Sequence, residues 1–171
     1  MVKNLLSYPI VLFDWGDTVM YDDPASTVPM MEWTTIKEVA GIADVLADLR
    51  TSERRIILAT GALISSEDQI REALARVGLD SYFSHIYCFK NTHLPKGEAF
   101  YRHILGDLGI SASDALMIGD FFEKDVQIPN AVGIFGVWFN QRSNETRNSK
   151  LHVTVHSMRE LQAFFKSLDQ K

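Results

Sequence analysis

Polar residues able to do chemistry recur along this chain, each directly after an apolar run or at the start of a helical pattern. They are Asp14 and Thr18, Thr60 with Gly61, Lys96, and Asp120 with Asp125. A carboxylate can attack an electrophile or bind a hard cation, while a hydroxyl, a backbone N–H and an ammonium group can hold the oxygens of an anion. Brought together, these groups would form a site for metal-assisted chemistry on an anionic substrate.

The apolar runs before these residues predict the strands that position them. The run from Ile10 to Phe13 has the length and branched composition of a buried strand, and it stops at Asp14, which a glycine-containing turn follows. Similar runs predict strands over 55–59, 85–89, 115–118 and 133–138, and an edge strand over 152–155. Two of these strands end at Thr60 and at Gly119-Asp120.

Helical patterns alternate with the predicted strands. The spacing of apolar residues predicts a helix over 32–50 that buries Ile36, Val39, Ala40, Ala43, Leu46 and Ala47. Further helices are predicted after a capping box at Ser65, over 96–107, over 122–130, and after a capping box at Ser157. This alternation predicts an α/β fold, a doubly wound parallel sheet covered by helices on both faces. Because the carboxyl ends of parallel strands meet at one edge of a sheet, the polar residues are expected to converge there.

Length, composition and charge exclude several classes of protein. A chain of 171 residues, 46% of them hydrophobic and 23% charged, is expected to form one domain over residues 1–171. A net charge of −5 argues against a nucleic-acid binder, and no apolar run is long enough to span a membrane. The single cysteine, Cys88, and the lack of a signal-peptide pattern indicate a cytoplasmic protein. The polar tract 141–150, which includes Arg142, is predicted to be a solvated loop, with contact to an anion as its second role.

The order and spacing of the polar residues resemble the four motifs of the haloacid dehalogenase-like hydrolase superfamily. The motifs are Phe13-Asp14-x-x-x-Thr18, an apolar strand ending at Thr60, Lys96 at the start of a helix, and Gly119-Asp120 followed by Asp125. Each motif alone is weak, because a single lysine is usually a surface residue and a single threonine often ends a strand. Together they cover residues 10–138 and would require four independent coincidences.

The resemblance implies a role for each motif residue in phosphoryl transfer. Asp14 would be the nucleophile that forms an aspartyl-phosphate, and Thr18, Thr60, Gly61 and Lys96 would bind the phosphoryl group. Asp14, Asp120 and the backbone carbonyl of Gly16 would bind Mg²⁺. Asp125 and Asp17 would orient this metal site without binding the ion themselves. The protein is then expected to be a magnesium-dependent phosphatase.

The first motif departs from the pattern Asp-x-Asp-Gly-Thr that phosphatases of this superfamily usually share. Here the order is Asp14-Trp15-Gly16-Asp17-Thr18, so Gly16 stands where the second aspartate normally protonates the leaving oxygen and then activates water. Asp17 is one residue further on, and neighbouring side chains of an extended chain point to opposite faces. The enzyme is therefore expected to be weak on ordinary esters and to favour substrates with good leaving groups.

The distances between motifs leave no room for a cap domain. Asp14 and Thr60 are 46 residues apart, and Thr60 and Lys96 are 36 apart, which one helix, one strand and their turns largely use. An open site is expected, suited to a phosphorylated small molecule or macromolecule unless a second copy of the chain covers it. Phe121 is expected to form an apolar wall beside the metal.

Three other functions fit some of these residues. Because Gly16 removes the acid, the chain could be a weak or inactive relative that binds Mg²⁺ and a phosphorylated partner. Dehalogenases and phosphonate-cleaving members also lack the second aspartate, so hydrolysis at a carbon centre is a further alternative. A phospho-receiver domain is disfavoured, because its lysine lies near the end of the chain, whereas Lys96 precedes Gly119-Asp120.

Overall fold

Six parallel strands form one sheet in the computed structural model, which describes residues 7–170. The strands are β1 (Ile10–Phe13), β2 (Arg55–Ala59), β3 (Phe83–Tyr87), β4 (Ala115–Gly119), β5 (Phe135–Phe139) and β6 (His152–Val155). Their spatial order is β3-β2-β1-β4-β5-β6, with β1 hydrogen-bonded between β2 and β4. Since every pair is parallel, all six carboxyl ends lie at one edge, as the sequence predicts.

Helices cover both faces of the sheet. They are α1 (Ile42–Thr51), α2 (Glu67–Arg76), α3 (Phe89–Thr92), α4 (Glu98–Leu108), α5 (Ile128–Ala131) and α6 (Met158–Asp169), with a π-helical turn at Glu123–Gln127. Buried residues of α1, α2 and α6 pack against one face, where they meet Val11 and Phe13 of β1. Buried residues of α4 pack against the other face, where they meet Ile10 and Leu12. The alternation of β1 side chains between two cores confirms a doubly wound sheet.

The helix predicted over 32–50 is wrong for its first half, because α1 begins only at Ile42. The preceding segment is extended and pairs with the loop after β1: Tyr21 N–H donates to the Lys37 carbonyl and Val39 N–H to the Val19 carbonyl. These bonds replace a helical ladder, and Gly41, with φ +86°, turns the chain into α1. The buried face of α1 is accordingly Ile42, Val45, Leu46 and Leu49 rather than the alanines predicted.

Other predicted boundaries shift by a few residues. The capping box of α2 is at Ser66 with Gln69, one residue after the predicted Ser65. β3 spans Phe83–Tyr87 rather than the predicted 85–89, and Phe89 begins the short helix α3 instead of ending the strand. Ser157 caps α6 as predicted, by accepting a hydrogen bond from Glu160 N–H. Gly109 has φ +62° and ends α4.

Within residues 7–170, the motif intervals hold only the elements of the sheet fold, and no cap domain is inserted. The longest connection runs from Asp14 to Gly41 and includes a 3₁₀ turn at Met30–Glu32. None of the helices in the described part of the chain is both long and apolar enough to cross a membrane.

Candidate active site

Three carboxylates and one lysine meet at the carboxyl edge of the sheet. Asp14 follows β1, Asp120 follows β4, Asp125 lies in the π-helical turn, and Lys96 lies two residues before α4. One oxygen of each carboxylate lies within 4.8 Å of the other two. Lys96 Nζ lies 2.8 Å from Asp14 Oδ1 and 2.5 Å from Asp125 Oδ1. Residues separated by up to 111 positions in the sequence therefore form one compact cluster.

Backbone contacts hold the members of this cluster in place. Asp14 N–H donates to the Ile118 carbonyl at 2.9 Å, which extends the β1–β4 pairing to the end of the strand. Phe121 N–H donates to Asp125 Oδ2 at 2.9 Å, so this carboxylate closes the turn after β4. A Cβ on Gly119 would collide with the Asp125 carboxylate. Only glycine at position 119 therefore allows Asp125 to pack this closely under the strand end.

The charges of this cluster interact strongly because its side chains are largely buried. The side chain of Lys96 is only 4% exposed and that of Asp125 only 1%. Burial alone would lower the pKa of Lys96, but the carboxylates of Asp125 and Asp14 outweigh it and hold this pKa well above its usual value. Burial raises the pKa of both Asp120 and Asp125, and the charge of Asp14 raises each pKa further. One buried lysine thus offsets part of the charge of three carboxylates.

The donor set of this cluster fits a magnesium ion. Mg²⁺ is a hard cation that is held by carboxylate and carbonyl oxygens, and Asp14, Asp120 and Asp125 bring such oxygens within 4.8 Å of one another. The mutual repulsion that raises the pKa of Asp120 and Asp125 is the repulsion that a divalent cation would relieve.

A cavity of about 610 Å³ opens beside Asp14. Of the residues predicted for the site, those lining the cavity are Asp14, Gly16, Thr60, Gly61, Lys96 and Asp125. The Thr60 hydroxyl accepts a hydrogen bond from Ala62 N–H at 3.1 Å, which fixes the loop after β2. Gly61 packs against the stem of Lys96, since a Cβ there would lie 3.4 Å from the Lys96 Cβ. A hydroxyl, a backbone segment and an ammonium group therefore border the same space as the Asp14 carboxylate.

Asp17, Thr18 and Asp120 lie outside the lining of this cavity. The turn after Asp14 winds tightly, because the Trp15 carbonyl accepts hydrogen bonds from Val19 and Met20 N–H at 2.9 and 3.0 Å. Asp17 takes the left-handed conformation, with φ +55°, and its Oδ2 accepts a hydrogen bond from Arg142 Nη2 at 2.7 Å. Thr18 is fully buried. The turn thus directs the Asp17 carboxylate towards Arg142.

Two charged residues at the site were not predicted as site residues. Arg142, with a side chain 66% exposed, links Asp17 to Asp120, since its Nη2 also lies 3.3 Å from Asp120 Oδ2. The polar tract 141–150 is largely exposed, as predicted, and the anion that Arg142 contacts belongs to the protein itself. The second residue is Asp22, which lines the cavity. Partial burial raises its pKa, and the charges of Asp17 and Asp14 raise it further, against a backbone hydrogen bond from Asp23 that lowers it.

Apolar side chains form the walls of the cavity away from the carboxylates. One wall is the loop after β1, which contributes Pro24, Val28, Met30 and Trp33. The opposite wall is the loop after β2, which contributes Ala62, Leu63 and Ile64. Phe121 borders the cavity with its side chain 51% exposed, in the position of the apolar wall that the sequence predicts.

Comparison with known sequences identifies the family. The sequence pattern of the family described as haloacid dehalogenase-like hydrolase matches residues 25–139, two thirds of the chain. The chain belongs to the haloacid dehalogenase-like hydrolase family. The match begins after Asp14 and Gly16, so it does not depend on the unusual first motif. The motif residues that it includes are Thr60, Gly61, Lys96, Gly119, Asp120 and Asp125.

Two curated relatives are named as a phosphatase and a nucleotidase. The chain is 30% identical over 132 residues to N-acylneuraminate-9-phosphatase of Mus musculus, covering 74% of this chain and 51% of the relative. It is 28% identical over 104 residues to the pyrimidine 5'-nucleotidase PynA of Streptococcus pneumoniae, covering 60% of this chain and 43% of that protein. The chain therefore spans about half the length of the curated relatives it matches.

Solved structures share the fold. An uncharacterized protein from Listeria monocytogenes superposes with a TM-score of 0.80 at 18% identity, covering 95% of this chain and 99% of that one. The HAD-hydrolase YfnB from Bacillus subtilis, solved with bound magnesium, superposes with a TM-score of 0.73 at 14% identity, covering 93% and 99%. At these identities the similarity establishes the fold alone.

Proposed function

We propose that this protein is a magnesium-dependent phosphatase that acts through an aspartyl-phosphate on Asp14. The observation that carries the proposal is the ion-paired cluster itself: Lys96 lies 2.8 Å from Asp14 Oδ1 beside two further carboxylates, at the base of a cavity. A carboxylate held next to a fixed cation and a metal-binding set has what in-line attack on a phosphate dianion requires. Family membership and the two phosphatase relatives support the same reaction class.

The chain's own residues would share the work of phosphoryl transfer. Asp14 attacks phosphorus, and the bond to the leaving oxygen breaks. The Thr60 hydroxyl and the Gly61 N–H hold phosphoryl oxygens, and Lys96 neutralises the charge that gathers on them. Asp125 keeps the Lys96 ammonium beside Asp14 through its own ion pair. Water then attacks the phosphorus of the aspartyl-phosphate and restores Asp14.

Mg²⁺ would be held by the Asp14 and Asp120 carboxylates and the Gly16 carbonyl, and when bound it supplies positive charge to the phosphoryl oxygens. Arg142 would fix Asp120 in place, since it contacts this carboxylate at 3.3 Å, and Asp17 would act on the metal site only through Arg142. Thr18 is fully buried in the turn, so we propose that it supports the phosphate site by shaping this turn.

We propose a small phosphorylated molecule as the substrate. The cavity of about 610 Å³ has the size of a site for a metabolite, and its walls are apolar on two sides. Both named relatives are phosphatases of small molecules, a nucleotide in one case and a sugar acid in the other. The buried free thiol of Cys88 fits a reducing compartment such as the cytoplasm.

Gly16 bears on which phosphates are hydrolysed. Residue 16 has no side chain that could protonate a leaving oxygen, and losing a positioned general acid costs roughly 10²–10⁴ in rate. Gly16 alone therefore predicts a preference for leaving groups of low pKa, such as aryl phosphates, acyl phosphates and anhydrides. The preference for leaving groups of low pKa disappears if another carboxylate occupies the space where a side chain of residue 16 would lie.

The test is turnover of p-nitrophenyl phosphate with and without Mg²⁺ in the wild-type protein and in Asp14→Asn. We expect Mg²⁺-dependent release of phosphate by the wild type and none by Asp14→Asn, because the amide is not a nucleophile. Asp17→Asn is the matched control, since it makes the same change in a carboxylate outside the cavity lining, and it should retain most of the activity. Incubation with Mg²⁺ and beryllium fluoride should form an adduct on Asp14, detected by fluorine NMR.

Each alternative function predicts a different result in this experiment. Turnover retained by Asp14→Asn would exclude Asp14 as the nucleophile. Mg²⁺ binding with no turnover of any phosphate would indicate an inactive relative that binds a phosphorylated partner. Release of halide or cleavage of a carbon–phosphorus bond, without phosphatase activity, would indicate hydrolysis at a carbon centre.

A further inference from the structure

The space beside Gly16 is filled by a carboxylate from elsewhere in the chain. A Cβ placed on Gly16 would lie 2.9 Å from Asp22 Oδ2 and 3.2 Å from both Cβ and Cγ of Asp22. These distances are too short for an undisturbed contact, so a side chain at position 16 and the present position of Asp22 exclude each other. The absence of a side chain at Gly16 thus makes room for the carboxylate of Asp22.

The loop after β1 folds back so that Asp22 returns to Gly16. The Trp15 carbonyl accepts hydrogen bonds from Val19 and Met20 N–H, and Gly16 pairs with Met20 in an isolated bridge. Asp22 N–H then donates to Asp17 Oδ1 at 3.1 Å. Six residues of chain therefore bring the Asp22 side chain to the position at which a side chain of residue 16 would begin.

Asp22 and Asp17 differ in what their carboxylates contact. Asp17 is occupied by Arg142 and by the Asp22 N–H, and it lies outside the cavity lining. Asp22 lines the cavity together with Asp14, Thr60 and Lys96. Its Oδ1 accepts a hydrogen bond from Asp23 N–H at 2.9 Å, whereas Oδ2 is the oxygen that faces Gly16. Of Asp17 and Asp22, only Asp22 borders the cavity.

We propose that Asp22 is the general acid and base of this enzyme, in place of a side chain at position 16. The proposal rests on the proposed phosphatase function. As Asp14 attacks phosphorus and the bond to the leaving oxygen breaks, Asp22 Oδ2 gives its proton to that oxygen and the alcohol departs. The Asp22 carboxylate then takes a proton from water as the water oxygen bonds to phosphorus. The bond from phosphorus to Asp14 breaks, which releases inorganic phosphate and returns both aspartates to their starting states.

The experiment compares leaving groups in wild-type protein, Asp22→Asn and Asp23→Asn. Rates are measured with Mg²⁺ on p-nitrophenyl phosphate, whose leaving group needs no proton, and on phenyl and alkyl phosphates, whose leaving groups need one. We expect Asp22→Asn to lower kcat on alkyl phosphates by roughly 10²–10⁴ while lowering formation of the phosphoenzyme from p-nitrophenyl phosphate far less. Asp23→Asn is the matched control, because it removes the neighbouring carboxylate of the same cavity and should change kcat only a few-fold.

Several outcomes would overturn the assignment. An equal loss in the rate of phosphoenzyme formation from every substrate would mean that Asp22 contributes to binding or folding, and unchanged rates would mean that it has no role. A steep dependence on leaving group in the wild type, unaltered in Asp22→Asn, would show that the acid is missing, as Gly16 alone predicts. The double variant Gly16→Asp with Asp22→Ala provides a second test, since it moves the carboxylate and should restore alkyl phosphate turnover over Asp22→Ala. Absence of any turnover in the wild type would instead overturn the phosphatase function.

Discussion

Lys96 forms ion pairs with two carboxylates that have different positions in the site. Its Nζ contacts Asp14, which borders the cavity, and Asp125, which closes the turn after β4. Because the side chain is almost fully buried, both ion pairs are poorly screened by solvent. The lysine therefore offsets part of the negative charge of the site in the folded protein as well as during the proposed reaction.

At the residue scale, Lys96→Met should impair both stability and activity. Removing the cation leaves Asp125 buried without its partner, and breaking a buried ion pair costs about 3–5 kcal/mol. We expect the free energy of unfolding, measured by urea denaturation in Mg²⁺-free buffer, to fall by an amount in this range. Phosphatase activity should be lost.

A double variant separates the two effects of Lys96. Lys96→Met with Asp125→Asn removes the unpaired charge as well, so it should regain part of the lost stability and none of the activity. Wild-type stability in Lys96→Met alone would show that the ion pairs do not contribute to folding.

N-cap residues determine where helices begin, and the sequence pattern locates an N-cap only to within one residue. Ser65 with Asp68 and Ser66 with Gln69 both fit a capping box, but the structure uses the second pair. Ser66 Oγ accepts a hydrogen bond from Gln69 N–H, and Gln69 Oε1 accepts one from Ser66 N–H at 2.9 Å. Ser65 is buried at the edge of the cavity instead.

At the element scale, Ser66→Ala should destabilise the protein by about 1 kcal/mol, the typical cost of losing a side-chain cap. Ser66→Gly is the control, because glycine at this position costs only a few tenths of a kcal/mol. Urea denaturation of the two variants measures the difference. Equal stabilities of Ser66→Ala and the wild type would show that this cap does not stabilise α2.

The elements that were predicted well are those that periodicity defines. The apolar runs of β1, β2 and β4 bury every residue of the predicted strands except Arg55, which is partly exposed, because strands inside a parallel sheet are covered on both faces. The residues that converge at the carboxyl edge follow from that topology. The segment 32–41 was predicted wrongly, because helical spacing alone does not reveal the hydrogen bonds that pair residues 37–39 with the loop after β1.

Contacts between loops account for the site residues that the sequence did not predict. Asp22 reaches Gly16 through a tight turn, and Arg142 reaches Asp17 from a tract 125 residues away. Neither contact has a periodic signal or a motif, since it depends on the conformations of two irregular segments. Prediction was therefore accurate for the scaffold and for the residues at strand ends, and incomplete for side chains that approach the site from loops.

At the scale of the whole molecule, a buried arginine connects the last helix to the edge of the sheet opposite the candidate site. Arg54 precedes β2, its side chain is fully buried, and it binds both carboxylate oxygens of Asp169 at the end of α6. It also donates to the Ser7 carbonyl before β1. One guanidinium group thus links the start of the sheet to the last helix.

Asp169→Asn should lower stability without changing the proposed chemistry. The buried guanidinium would lose its charged partner, and leaving such a donor poorly satisfied costs about 1–3 kcal/mol. We expect thermal unfolding at a lower temperature and an unchanged kcat on p-nitrophenyl phosphate, because Asp169 is not one of the residues that line the cavity. Lys166→Ala, a change at an exposed position of the same helix, should leave both measurements unaltered.

The contact between Gly16 and Asp22 also affects how incomplete motifs are interpreted in other chains. A filter that demands the second aspartate of the first motif would discard this sequence as inactive. Glycine at that position, however, is the only residue that leaves room for the carboxylate six residues later. If Asp22 is the general acid, as we propose, a chain with glycine at this position is expected to be active when an acid follows six residues later and inactive when none does.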